Sequence, residues 1–301
     1  MLNFLAERSA FFLIAFCFVG LAFPDMSMQV FKVLPFVLFF LMFFSLLGVD
    51  QSKVIKGLGD ARGWVYALVH ALLMSVLVGF FLNVIDASQE LSIALLGVAA
   101  TGSLFATPAI VKSVGLDNFE ALIYTITSTL VKPVFLYATF SLLFTDAFSM
   151  DMKAYSIKLI VYIFGPMLLS FLVQKWFGRE NIQGIHASVG RYNIILVFLF
   201  PLGLVGDYGH MLRDDFGFAM EMLVIAVGIC FAFFVVAYFV YLKNGQEAAY
   251  VAAITSGNRN VLLTYTIAGA YLGPLFLPLV GALQIPIYIQ PLIIKFLLRS
   301  R

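Results

Sequence analysis

One stretch limits the folds open to this chain: Ala248–Leu272, AAYVAAITSGNRNVLLTYTIAGAYL. It is long enough to cross a bilayer and apolar at both ends. Its middle, Thr255-Ser256-Gly257-Asn258-Arg259-Asn260, is small, polar and permanently charged. An arginine near mid-membrane costs at least about 2.5 kcal/mol unless it faces protein, water or a partner charge. The stretch is therefore no plain lipid-facing helix. A polar, glycine-containing break inside a spanning helix is how many secondary transporters build a substrate or ion site.

The rest of the chain fits that setting. Of 301 residues 62% are hydrophobic and 11% charged, with a mean hydropathy of +1.03. Soluble domains carry about 25% charged residues. The composition is that of a polytopic membrane protein, with the lipid bilayer as its surroundings. The net charge of +2 selects no partner, and no nucleic acid is expected. Cys17 and Cys230 lie singly in apolar runs and read as packing residues. No cleavable leader is expected, because Pro24-Asp25 comes after the first apolar run without a small-x-small site.

A spanning helix needs about 20 mostly apolar residues. Segment one is expected at about 9–23, closed by Pro24, and segment two at about 32–49. A polar amphipathic link, Asp50–Arg62, leads to segment three at about 63–83. Segment four starts at Leu91 and meets Gly102-Ser103-Leu104-Phe105-Ala106-Thr107-Pro108 before continuing to Gly115. Proline removes a backbone donor and clashes with the preceding turn, so Thr107-Pro108 reads as a second break. Segment five is placed at about 119–145, six at 154–177, seven at 187–206, eight at 216–242 and ten at 274–298. The opening stretch is segment nine.

The expected fold is thus an all-α integral membrane protein with ten transmembrane helices, in two inverted repeats of five. Residues 1–177 hold the first repeat and helix 6, 178–186 the polar linker, and 187–301 helices 7–10. The interrupted segments, four and nine, hold matching places in the two halves, the pattern that points to a midplane site. Lysines and arginines orient the chain. Arg8, Lys53, Lys56, Arg62, Lys112, Lys175, Arg179, Arg191, Lys243, Lys295, Arg299 and Arg301 collect on one side. Lys32, Lys153, Lys158 and Arg213 fall on the other. Both termini are expected in the cytoplasm, in a cell (inner) membrane.

Arg259 is the leading candidate for chemistry, because mid-segment it cannot simply snorkel. Thr255, Ser256, Asn258 and Asn260 surround it with hydroxyls and amides, and Gly257 lets backbones approach. Lys132, one residue before Pro133, is either a site residue or a stem reaching an aqueous vestibule. Thr125 and Thr129 share its helix face and read as packing contacts or as ligands. His70 is either a satisfied packing residue or a proton carrier. Glu120 is a second proton candidate. No Walker loop, zinc spacing or nucleophile elbow occurs, so no enzyme is expected.

With the breaks placed, the chain resembles the bile acid:sodium symporter family over almost its whole length. Leu34 to Phe43, LPFVLFFLMF, is similar to the family's second-segment pattern, and Ser128–Pro133 to its Ser-Thr-Leu-x-x-Pro run. The family's ninth-segment signature, Glu-x-Gly-x-Gln-Asn, falls on Thr255–Asn260 and keeps Gly257 and Asn260. The resemblance implies ten helices, a panel domain from segments one, two, six and seven, and a core domain from the rest. It also implies that helices 4 and 9 cross at their breaks, and that a small organic anion is carried with sodium. The sodium ligands differ here. The family's glutamate matches Thr255, its glutamine Arg259, its Ser-Asn pair roughly Thr107-Pro108, and a segment-three glutamine His70. Thr125 matches a hydroxyl ligand. No cofactor is expected beyond a sodium ion or proton for coupling, and no firm metal site.

The expectation is a secondary transporter of a small organic anion working by alternating access, without ordinary sodium coupling. One rival is a sodium-coupled symporter using backbone carbonyls, Thr255, Asn258 and Thr125. Others are a non-transporting membrane sensor or scaffold, and another ten-helix carrier type with crossed helices.

Overall fold

A computed structural model describes residues 9–143, 150–178, 181–182 and 193–299. Among them every regular element is helical, and six helical spans are long and apolar enough to cross a membrane. The count rises to eight if two sharply bent helix pairs are each one span. The protein is a multi-pass helical membrane protein.

The first bent pair is α1 (Ser9–Ala22) and α2 (Pro24–Phe31), turned by 112°. Pro24 has no N–H to continue α1, but it suits the first turn of a new helix, where that donor is free anyway. The residues after Pro24 are therefore helical, not the loop expected. The second pair is α3 (Leu34–Leu47) and α4 (Gln51–Leu58), turned by 96°. α4 is the amphipathic link, and the Asp50 carboxylate caps it by accepting from the Ser52 N–H at 3.0 Å.

Four spans run close to their expected places: α5 (Ala61–Val84), α8 (Asn118–Leu143), α13 (Phe216–Tyr241) and α16 (Phe276–Arg299). So does α9 (Met152–Leu159), which passes through a π-helical turn, Ile160–Phe164, into α10 (Gly165–Phe177). Pro166, lacking a donor, sits just past that wide turn. α11 (Asn193–Leu204) is continued at once by α12 (Gly206–Asp214), so the connection between the seventh and eighth sequence segments is helix. Most of the linker 178–186 lies outside the described residues, as do Arg8, Arg179, Arg191 and Arg301.

The fourth and ninth sequence segments are each two short helices. α6 (Gln89–Ala99) and α7 (Thr107–Ser113) flank one break, α14 (Gln246–Gly257) and α15 (Val261–Ala268) the other. Thr107-Pro108 opens α7 rather than interrupting it, so the first break lies before the proline, at residues 100–106.

Packing sorts the helices into groups. α1, α2, α3 and α11 pack together, and α10 lies on α3. Gln174 of α10 donates to the Leu47 and Val49 carbonyls, at 2.9 and 3.0 Å, at the end of α3. α5, α7 and α14 pack around α8, and α13 runs along α14. α16 lies against α13, α12, α6 and α1 and so touches both groups. A main apolar core runs through the bundle, with a smaller one around Tyr66, Tyr124, Tyr241 and Ile254.

Candidate functional site

Two broken helices in an apolar interior leave backbone groups that water cannot satisfy. The two breaks solve this by pairing. Ser103 and Arg259 form an antiparallel bridge. The Leu104 N–H donates to the Asn258 carbonyl at 3.0 Å, and the Asn260 N–H to the Gly102 carbonyl at 2.9 Å. Side chains complete the set. Ser103 Oγ donates to the Thr255 carbonyl at 2.9 Å, and the Ser103 N–H donates to Ser128 Oγ at 3.1 Å. Asn260 Oδ1 caps α15 by accepting from the Leu263 N–H at 3.3 Å.

Two glycines make this closeness possible. A Cβ on Gly102 would lie 3.2 Å from the Thr129 Cα, against backbone that cannot step aside. A Cβ on Gly257 would overlap the Gln290 side-chain amide. Gln290 in turn accepts a hydrogen bond at 3.0 Å from Asn258 Nδ2, which also donates to the Ile254 carbonyl at 2.8 Å.

The carbonyl end of α6 carries the negative end of a helix dipole, and two basic side chains meet it. Lys132 Nζ donates to the Ala99 carbonyl at 2.7 Å and to the His70 carbonyl at 3.3 Å. Arg259 Nη1 donates to the Thr101 carbonyl at 2.9 Å, and Nη2 lies 3.4 Å from Ser256 Oγ. The guanidinium carbon sits 4.3 Å from the centre of the Phe233 ring, a cation–π contact. Lys132 is 1% exposed and Arg259 4%. Neither has a carboxylate within ion-pair distance among the described residues. The Arg259 charge rests on a carbonyl dipole and one aromatic face.

The other expected residues divide. Thr255, Ser256, Asn258, Arg259, Asn260 and Lys132 gather at the paired breaks. Thr107 is buried just beyond, at the start of α7, with Oγ1 unpartnered. Thr125 and Thr129 are buried near by, but their hydroxyls turn back on their own helix, to the Ala121 and Thr125 carbonyls at 2.8 Å each. Thr255 does the same, to Val251 at 2.6 Å. His70 meets Lys132 through its carbonyl, while its ring stacks on Tyr66 at 4.1 Å. Glu120 lies apart from the breaks. It accepts from the Tyr124 hydroxyl at 2.6 Å and lines a cavity with Asp60 and Arg62.

Two residues of the site, Phe233 and Gln290, carry no role in the sequence pattern. The signal for Gln290 is weak but present, a glutamine in an otherwise apolar span. Phe233 is one of 33 phenylalanines and carries none.

A cavity of about 190 Å³ lies between the helix groups, against the second break. Its walls include Leu13, Leu41 and Phe200 from one group and Ile287 from α16, with Arg259 and Asn260 at the break. Ala106, Ala109, Ile110 and Ser113, one face of α7 and its start, carry the lining along that helix to the exposed Ser113.

The described residues therefore define a multi-pass helical membrane protein whose two interrupted segments pair inside the bundle, beside a largely apolar cavity with a cationic edge. The chain matches no protein-family model and no curated protein.

Proposed function

We propose that this chain is a secondary transporter of a small organic anion, a divergent relative of the bile acid:sodium symporter family that works without sodium. One observation carries the reading: a built-in cation, Arg259, and the amine of Lys132 bond the carbonyl end of α6 at the paired breaks, with no carboxylate beside them among the described residues. Sodium needs oxygen ligands with negative charge near by. At 4 Å and an effective dielectric constant of about 20, a fixed cation repels a sodium ion by about 4 kcal/mol. The inward-turned hydroxyls of Thr125 and Thr255 are further support, since both are already bonded to their own helices.

The reading carries a topology with it. Ten crossings in two inverted five-helix repeats are joined near 178–186. A panel is built on segments one, two, six and seven and a core on the others, with both termini cytoplasmic in the inner membrane. The mutual packing of α1, α2, α3 and α11, and the seating of α10 on α3, support the panel. The cavity beside the crossing supports alternating access as the core moves against it.

The test needs no substrate. The purified protein is melted in sodium, potassium and choline chloride at equal ionic strength. A ligand bound only by the folded state raises stability by RT ln(1 + [L]/Kd). Equal melting temperatures in the three salts are expected. A sodium-specific rise would restore the ordinary symporter, with Thr255, Asn258 and Thr125 as ligands.

A further inference from the structure

The span formed by α9 and α10 is tied to different neighbours at its two ends. α9 is bonded to the helices around the paired breaks. The Tyr155 hydroxyl donates to the Pro133 carbonyl of α8 at 2.7 Å. The Asp151 N–H, at the start of α9, donates to the Tyr271 hydroxyl, just past α15, at 2.9 Å. α9 also packs on α15. Tyr155 is buried and lines a small cavity with Gly102 of the first break, Lys132 of α8 and Thr264 of α15. α10 is bonded elsewhere. Gln174 Nε2 holds the Leu47 and Val49 carbonyls at the end of α3. Gly165, the first residue of α10, sits so close to α3 that a Cβ would lie 3.1 Å from the Phe39 ring.

Between the two ends lies the least regular stretch of the span's own hydrogen-bond ladder. Ile160–Phe164 is a π-helical turn, closed by the Gly165 N–H on the Ile160 carbonyl. Such a turn holds one residue more than an α turn and is rare. Gly165 is a poor helix former, and Pro166 has no N–H for the preceding turn. Ile160, Val161 and Phe164 are exposed on the outer side, and only Ile163 of the turn is fully buried. Bends in helices concentrate at π-turns and prolines, and here the two adjoin. If the span moved with α3 as one rod, the bonds of Tyr155 and Asp151 would break each time the breaks moved. The Tyr155 hydroxyl would then lose its buried acceptor, which is costlier than flexing a ladder that is already irregular. Bending at the turn keeps the bonds at both ends.

We propose that the π-helical turn Ile160–Phe164 is a hinge: α9 travels with α8 and the paired breaks, while α10 stays on α3. Hinges of this kind are a few residues at the ends of elements that absorb the change in backbone angles. The proposal rests on the transporter reading for the movement it serves. It also divides the sixth segment, leaving only its second half in the panel.

Spin labels on exposed residues test it, in the full chain in proteoliposomes with Cys17 and Cys230 replaced by alanine. The pair Ile157→Cys/Val134→Cys reports α9 against α8, and Leu168→Cys/Phe36→Cys reports α10 against α3. The pair Ile157→Cys/Phe36→Cys reports α9 against α3. Electron paramagnetic resonance is expected to give one separation in each of the first two pairs and two separations in the third. Deletion of Val161 turns the π turn into an α turn and keeps the flanking helix faces in phase. It is expected to leave the third pair with one separation. Pro166→Ala, a gentler change that returns the missing donor, is expected to shift the third pair toward one separation. Two separations in the α9–α8 pair with one in the α9–α3 pair would make α9 part of the panel; that overturns the hinge and keeps a moving carrier. Unchanged populations in the third pair after both changes overturn it as well. One separation in all three pairs removes the hinge and alternating access together.

Discussion

Gly257→Ala tests how tightly the paired breaks are built. Gly257 is the last residue of α14, and the new methyl group would overlap the Gln290 amide of α16. Gln290 must then swing away and lose the 3.0 Å hydrogen bond from Asn258 Nδ2. Asn258 keeps its other bond, to the Ile254 carbonyl. The lost hydrogen bond is worth about 0.5–1.5 kcal/mol, and overpacking a tight site costs about 1–3 kcal/mol. Alanine's better helix propensity returns at most about 1 kcal/mol. The net loss is about 0.5–4.5 kcal/mol, or roughly 1–18 °C of melting temperature at about 2–4 °C per kcal/mol. Cys17 and Cys230 are free and buried, so a thiol-reactive dye reports unfolding directly. The double variant Gly257→Ala/Gln290→Ala makes room for the methyl group and should recover part of the loss. An unchanged melting temperature for Gly257→Ala would refute the reasoning. So would a double variant that loses the full sum of the two single changes, because contacting residues should couple by about 0.5 kcal/mol or more.

Two further changes probe the same place. Ser103→Ala removes the hydroxyl that donates to the Thr255 carbonyl at the end of α14, and should cost about 1–3 kcal/mol as a buried acceptor left unpaired, read as a lower melting temperature with the same dye. Arg259→Gln combined with Thr255→Glu removes the fixed charge and adds a carboxylate. A sodium-specific rise in melting temperature is expected in this double variant, and identical melting in sodium and potassium chloride would count against the substitution picture.

The breaks were legible because the membrane leaves few readings of a polar run inside an apolar one. Arg259 could not face lipid, and six consecutive small or polar residues could not fill a spanning helix. Where the first break lies was less legible. Thr107-Pro108 looks like an interruption, yet proline is as comfortable opening a helix as it is disruptive inside one, and here it opens α7. The same ambiguity hid α2 behind Pro24. Local pattern also failed to show where hydroxyls point. Thr125, Thr129 and Thr255 look alike as ligand candidates, but a threonine in a helix can bond the carbonyl four residues back, and all three do. Partners from distant segments, such as Gln290 on Asn258 and Phe233 under Arg259, depend on packing that no local pattern encodes.

If the chain carries an anion as proposed, a cation fixed at the crossing also changes what can drive that transport. A ligand shifts a conformational equilibrium only by the difference in its affinity for the two states. A dissolved ion adds to this the free energy of its own gradient, because it is taken from one side and released on the other. A guanidinium attached to the chain has no gradient. Arg259 can hold the carbonyl end of α6 and attract an anion, but it cannot make the inward step downhill. On this reading the driving force is the anion's own gradient, a coupled proton, or exchange for a second anion. The charge on Arg259 has a further consequence. If the second break moves through the membrane field, the empty carrier moves a net positive charge, worth about 2.3 kcal/mol for each 100 mV that one full charge crosses. A monoanion bound against Arg259 cancels that charge. The loaded carrier is then nearly indifferent to the membrane potential while the empty one is not, which favours one-for-one exchange over net uptake.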